Sequence, residues 1–139
     1  MPPDPVVMEE AQRWMRFADD DLSSARLHVA TSTVLPNQAS YHAQQAAEKA
    51  LKALLILRGI YFPKTHDLAA LAALLPEQDH PVVADLDLVS LTAWVVAGRY
   101  PTDLGDASPT AANIAIATAQ ELITRISTVV GPTLPPSNP

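Results

Sequence analysis

The sequence predicts an all-α fold: an antiparallel up-and-down bundle of four long helices and one short one. Three observations predict it. Ala and Leu carry most of the 48% apolar share of the 139 residues, while aromatics reach only 5%. Such side chains suit close-packed helices better than a sheet, which draws on Val, Ile, Tyr and Phe. Apolar residues also return every three or four positions through most of the chain. Finally, Pro, Gly and Ser/Thr breaks cut this pattern into helical lengths, and no segment reads as a strand.

The first helix is expected from about Val6 to Ala30, with Met8, Ala11, Trp14, Ala18, Leu22, Ala25 and Val29 in a stripe. Thr31-Ser32-Thr33 is expected to end it. The second should begin near Pro36, which suits a first-turn position, and run to Gly59, a good residue just past a helix end. Its apolar positions are Ala39, Ala43, Ala46, Ala47, Ala50, Leu51, Leu54 and Leu55, small enough in the first half for a close neighbour. A short third helix should span about Asp67 to Leu75, capped by Thr65 or His66 and stopped by Pro76. The fourth should begin at Pro81 and reach about Ala97, using Val83, Leu86, Leu88, Leu91, Trp94 and Val95, with Gly98 to end it. Ser108-Pro109 is a start signal for the fifth, which should run to about Val130 and be lined by Ile114, Ala117, Ala119, Leu122, Ile126 and Val129. Residues 1–5 are expected to form an extended Pro-rich arm, 6–131 the bundle, and 132–139 a flexible Pro-rich tail.

Composition excludes several functions. Without Cys there is no disulfide, thiolate zinc site, iron–sulfur cluster or Cys nucleophile. The net charge of −6 opposes bulk DNA binding. Met1-Pro2-Pro3-Asp4-Pro5 has neither part of a signal peptide, and no uncharged apolar run approaches the ~20 residues that span a bilayer, so a cytoplasmic protein with no membrane partner is expected. With four Gly the chain cannot build a glycine-rich phosphate loop. His28, His42, His66 and His80 lack ligand spacing, and Asp19, Asp20 and Asp21 splay apart on a helix, so no metal is expected.

The polar residues that remain are concentrated. Lys49, Lys52 and Lys64 are all the lysines, and Arg58 lies between them. Lys49 and Lys52 share a helix face, which suits either an anion site or an ordinary solvated face with a Glu48–Lys52 pair. Gln44, Gln45 and Glu48 sit among alanines, so a polar network near a helix seam is one reading and a solvated face the other. Asp21 falls on the apolar stripe Trp14, Ala18, Ala25, and a carboxylate there needs a cation; Lys49, Lys52 and Arg99 are candidates. Arg99, beside Tyr100, suits a helix C-terminus or a binding role equally well.

Tyr41-His42-Ala43-Gln44-Gln45-Ala46-Ala47-Glu48-Lys49-Ala50-Leu51-Lys52-Ala53-Leu54, then Pro63-Lys64-Thr65-His66-Asp67-Leu68, then Arg99-Tyr100-Pro101 closely resemble, in order and spacing, the HEPN family (higher eukaryotes and prokaryotes nucleotide-binding domain). Trp14, Ala18, Asp21-Leu22 and Ala25 fit its first helix, so the resemblance covers roughly residues 8 to 130. It implies a helical bundle that forms a homodimer, binds a nucleotide or other anion, and works with a minimal nucleotidyltransferase as a toxin–antitoxin-type pair. Other members are metal-independent RNases. In that branch an Arg is followed, after four to six residues, by a His. Arg99 would be the Arg, but the His positions hold Leu104, Gly105 and Asp106. The usual general acid/base is missing, and with it the Tyr two residues beyond; Tyr100 is not equivalent.

Three functions follow. In the favoured one the domain is a binding module, with Lys49, Lys52, Lys64, Arg99 and Tyr100 meeting the ligand and Asp21, His42, Gln45 and Glu48 supporting them. The expected partners are a second copy, the nucleotidyltransferase, and a nucleotide or RNA, with no resident cofactor. The alternative is an RNase toxin with an atypical site, in which Arg99 stabilises the cleaved phosphate and His66 or His42 substitutes as base. The third is a purely structural bundle.

Overall fold

The computed structural model describes residues 2–30, 35–97, 100–101 and 105–131. Gly98, Arg99, Leu104 and the tail at 132–139 lie outside the described residues. The helices are α1 (Pro5–Ala30), α2 (Pro36–Leu57), α3 (Leu68–Ala73), a 3-10 turn (Glu77–Val82), α4 (Leu88–Ala97) and α5 (Pro109–Val130). They form the expected antiparallel bundle, and no strand occurs among the described residues.

α2 is the central element, packed against α1, α3, α4 and α5. Ala39, Ala43, Ala46, Ala47 and Ala50 on α2, and Ala11, Ala18 and Ala25 on α1, are wholly buried. Small side chains let the two backbones approach closely, and α1 with α2 is the most extensive helix pair. The second half of α2 turns to larger residues, Leu51, Leu54 and Leu55, which meet a core shared with Leu68, Leu71, Leu91, Leu122 and Ile126. Each such side chain contributes about 1.5–3 kcal/mol on leaving water.

The ends are set by local chemistry. Asp4 opens α1, accepting from the Val6 amide at 2.7 Å, and the helix starts at Pro5, one residue before the expected Val6. Gly59, with φ of +68°, leaves α2 in the left-handed region, and the Ile60 amide reaches back to the Leu55 carbonyl at 2.9 Å. Ser108 caps α5 by accepting from the Ala111 amide at 3.0 Å.

Three expectations need correction. Asp67 itself caps α3, accepting from the Ala70 amide at 3.1 Å, while Thr65 accepts from the Asp67 amide; His66 is turned to other use. α3 stops at Ala73, before the expected Leu75. The fourth helix does not begin at Pro81. That residue sits in the 3-10 turn, Asp85 adopts a φ of +63°, and α4 begins only at Leu88. Asp87 is its start signal: the Ser90 hydroxyl and amide donate to its carboxylate at 2.6 and 3.0 Å and hold that carboxyl below its ordinary range. On α5, Ile114 and Ala117 face solvent, and Ala112, Ala115, Ile116 and Ile123 are buried with Ala119, Leu122 and Ile126. An all-round apolar stretch lets two registers of the helical period look alike, and packing against α2 selects one.

Two arginines tie the irregular segment after α3 to the bundle. Arg58, at the end of α2, grips Asp79 with two bonds, Nε to Oδ2 at 2.7 Å and Nη2 to Oδ1 at 2.8 Å. The hydrogen bond to Asp79 makes that guanidinium more basic than usual despite its partial burial. Arg125 of α5 donates to the Ala84 carbonyl at 2.8 Å, with Glu121 holding its Nε at 2.9 Å.

Candidate functional site

The polar residues of α2 point in two directions, and each group forms its own cluster. Toward α1, the Lys49 ammonium donates to Asp21 Oδ2. The other carboxylate oxygen of Asp21 lies 3.7 Å from His42 Nδ1. His42 stacks on His28 of α1, with ring centroids 5.5 Å apart and planes 12° from parallel. Tyr41 meets His42 edge-on at 5.4 Å. Asp21 thus sits where its place on the α1 stripe requires, facing α2 with a cation in contact. Its neighbours behave differently. Burial and the charge of Asp20 push the Asp19 carboxyl above the ordinary range, against the opposing pull of Arg26.

The second cluster centres on Glu48, whose side chain is 6% exposed. Lys52, one turn on, donates to Oε2 at 3.1 Å, and His66 Nδ1 lies 2.6 Å from Oε1. Gln44 donates to the His66 carbonyl at 3.0 Å and accepts from Gln45 at 2.7 Å. Lys52 also stands over the Phe62 ring, 5.6 Å from its centre. Lys52, His66 and Gln44 thus surround the buried carboxylate, which needs such partners to leave water. Glu48, through the His66 ring, and Gln44, through the His66 carbonyl, fasten the segment between α2 and α3 onto α2. The His66 side chain is 54% exposed, and Glu48 holds its Nδ1.

The sequence-derived cations are therefore divided. Lys49 and Lys52 take different carboxylates, Asp21 and Glu48. Lys64 is exposed, as is Tyr100, and Arg99 lies outside the described residues. Among the described residues no group of three or more His, Asp or Glu is arranged to hold a metal ion. No described helix is long and apolar enough to cross a membrane.

Sequence reasoning misses one feature beside Lys49. A groove of about 460 Å³ is lined by Glu10, Arg13, Trp14 and Phe17 of α1 together with Lys49. A signal for it exists, since positions 10, 13, 14 and 17 follow the spacing of a single helical face. In sequence, however, Trp14 reads as a member of the apolar stripe alone, which draws no attention to its polar neighbours.

A helical bundle with a small-residue α1–α2 seam and charged residues paired along its central helix defines the class. The chain belongs to the HEPN family: the family's HEPN domain model matches residues 11–129. It is similar in structure to the protein TT1696 from Thermus thermophilus, with 26% identity and a TM-score of 0.75, over 86% of this chain and 98% of that one. It also shares its fold with ST0689, an archaeal HEPN homologue, at 23% identity and a TM-score of 0.61, over 86% of this chain and 97% of the other. No curated protein matches the chain.

Proposed function

We propose that the chain is a nucleotide- or anion-binding HEPN domain that dimerises and works with a minimal nucleotidyltransferase in a toxin–antitoxin-type pair. One observation carries the binding reading. Lys49 and Lys52 are both partly exposed, and each is anchored by its own carboxylate, Asp21 and Glu48. An ammonium has three donors, so one held by a carboxylate is ordered in advance and still has hydrogens for a phosphate. Lys64 and Arg99 would add charge from separate segments of the sequence, and Tyr100 a hydroxyl. Isothermal calorimetry with AMP tests this: saturable heat is expected for the parent and a loss of at least tenfold in affinity for Lys49→Ala. Absence of heat at millimolar AMP would remove the reading.

The dimer reading draws on α4. Val89, Ala93 and Val96 make an exposed apolar stripe on a helix that is apolar almost all round. A patch of this kind on a short helix invites burial against a partner. Light scattering is expected to give the mass of two chains for the parent and one for Val96→Asp; a single-chain mass for the parent overturns the dimer. Co-expression with a minimal nucleotidyltransferase, followed by co-purification over size exclusion, tests the pairing.

RNA cleavage is the second reading, and the Glu48–His66 pair favours it. A carboxylate on Nδ1 fixes the imidazole so that Nε2 can act as a base. The parent dimer is then expected to cut RNA without metal and His66→Ala to leave it intact; intact RNA with the parent removes this reading.

A further inference from the structure

We propose that the groove between α1 and α2 lined by Glu10, Arg13, Trp14, Phe17 and Lys49 binds a nucleoside monophosphate, its base against Trp14 and Phe17 and its phosphate on Arg13 and Lys49. The proposal rests on the nucleotide-binding reading above and gives it a place and a ligand class. The groove encloses about 460 Å³, within the range of small-ligand sites.

Its chemistry is mixed in a particular way. Glu10, the one acid in the lining, is already engaged: one oxygen accepts from the Trp14 indole nitrogen at 3.2 Å, the other lies 3.2 Å from Arg13 Nη1. That double contact orients the indole and the guanidinium together and offsets the carboxylate's repulsion of an incoming anion. Lys49 is steadied from behind by Asp21. Arg16 stands 4.7 Å from the centre of the Phe17 ring. The groups left for a ligand are two aromatic rings and the spare donors of Arg13 and Lys49.

These groups select a ligand by elimination. Inorganic phosphate would use the cations and waste the rings. A neutral nucleoside would use the rings and leave the cations unmatched. A planar base joined to one phosphate uses both, since bases stack on aromatic faces whatever their sequence and phosphate suits Arg and Lys. The lining brings two cations, Arg13 and Lys49, against its one acid, Glu10, in a chain whose overall charge is −6.

The full chain labelled with 5-fluorotryptophan provides the test, because Trp14 and Trp94 give it two fluorine resonances. AMP is expected to move the Trp14 resonance saturably and leave Trp94 in place. Adenosine and inorganic phosphate should each bind at least tenfold more weakly than AMP. Arg13 is about half exposed, so Arg13→Ala should fold normally, and it is expected to weaken AMP at least tenfold. Calorimetric binding of AMP that leaves Trp14 unmoved, or that survives Arg13→Ala, overturns the groove assignment while the nucleotide reading stands. Phosphate binding as tightly as AMP overturns the stacking role. No heat with AMP defeats both.

Discussion

Arg58→Ala is expected to lower the stability of the fold by about 3 kcal/mol, a fall of about 10 °C in melting temperature for a domain of this size. The reason lies in what is left behind. Asp79 is 3% exposed, and the guanidinium of Arg58 supplies both of its side-chain bonds, at 2.7 and 2.8 Å. Removing the arginine leaves a buried carboxylate without its cation, and the penalty is that of an unpaired buried charge. Arg58→Lys should recover only part of the loss, because an ammonium cannot reproduce a two-pronged contact. The double variant Arg58→Met with Asp79→Leu should be much milder than Arg58→Ala, since it removes both charges together. Thermal melts followed by circular dichroism read all three. A double variant that melts below Arg58→Ala would show that the ion pair itself, not the stranded carboxylate, carries the effect.

Leu54→Ala is expected to cost about 3 kcal/mol, while Ile114→Ala should stay within about 0.5 kcal/mol of the parent. Leu54 is wholly buried in the half of α2 where the bundle changes from alanines to larger residues, so truncation leaves a cavity that neighbours on several helices cannot fill. Ile114 is a larger hydrophobe than alanine by the same kind of margin, but it is 62% exposed and its removal empties nothing. Urea titrations of the two variants make the comparison directly. Equal losses would mean that Ile114 is covered in solution, as it would be if a partner chain sat on α5.

Helix ends and long-range ties show how much is legible in the sequence. Ser108-Pro109 announces α5 because a cap and a first-turn proline act within one turn of chain. Pro81 misleads as a start for α4, since proline also suits the 3-10 turn it occupies, and the Asp87–Ser90 cap is a commoner pattern with less force in isolation. The Asp21–Lys49 contact is foreseeable from a carboxylate on an apolar stripe. By contrast, Asp79 looks like an ordinary loop acid, and nothing near it in sequence shows that Arg58 would meet it in the interior.

By itself the sequence determined the helical class, the extent of α1, α2 and α5, and the need of Asp21 for a cation, because each depends on spacing along a single helix or on the cost of one buried charge. Tertiary structure alone decided that Lys49 and Lys52 serve separate carboxylates, that His66 closes on Glu48, and that Arg13, Trp14, Phe17 and Lys49 line one groove. Those outcomes depend on the angle at which one helix meets the next, which is set by the sum of all core contacts and is written at no single position.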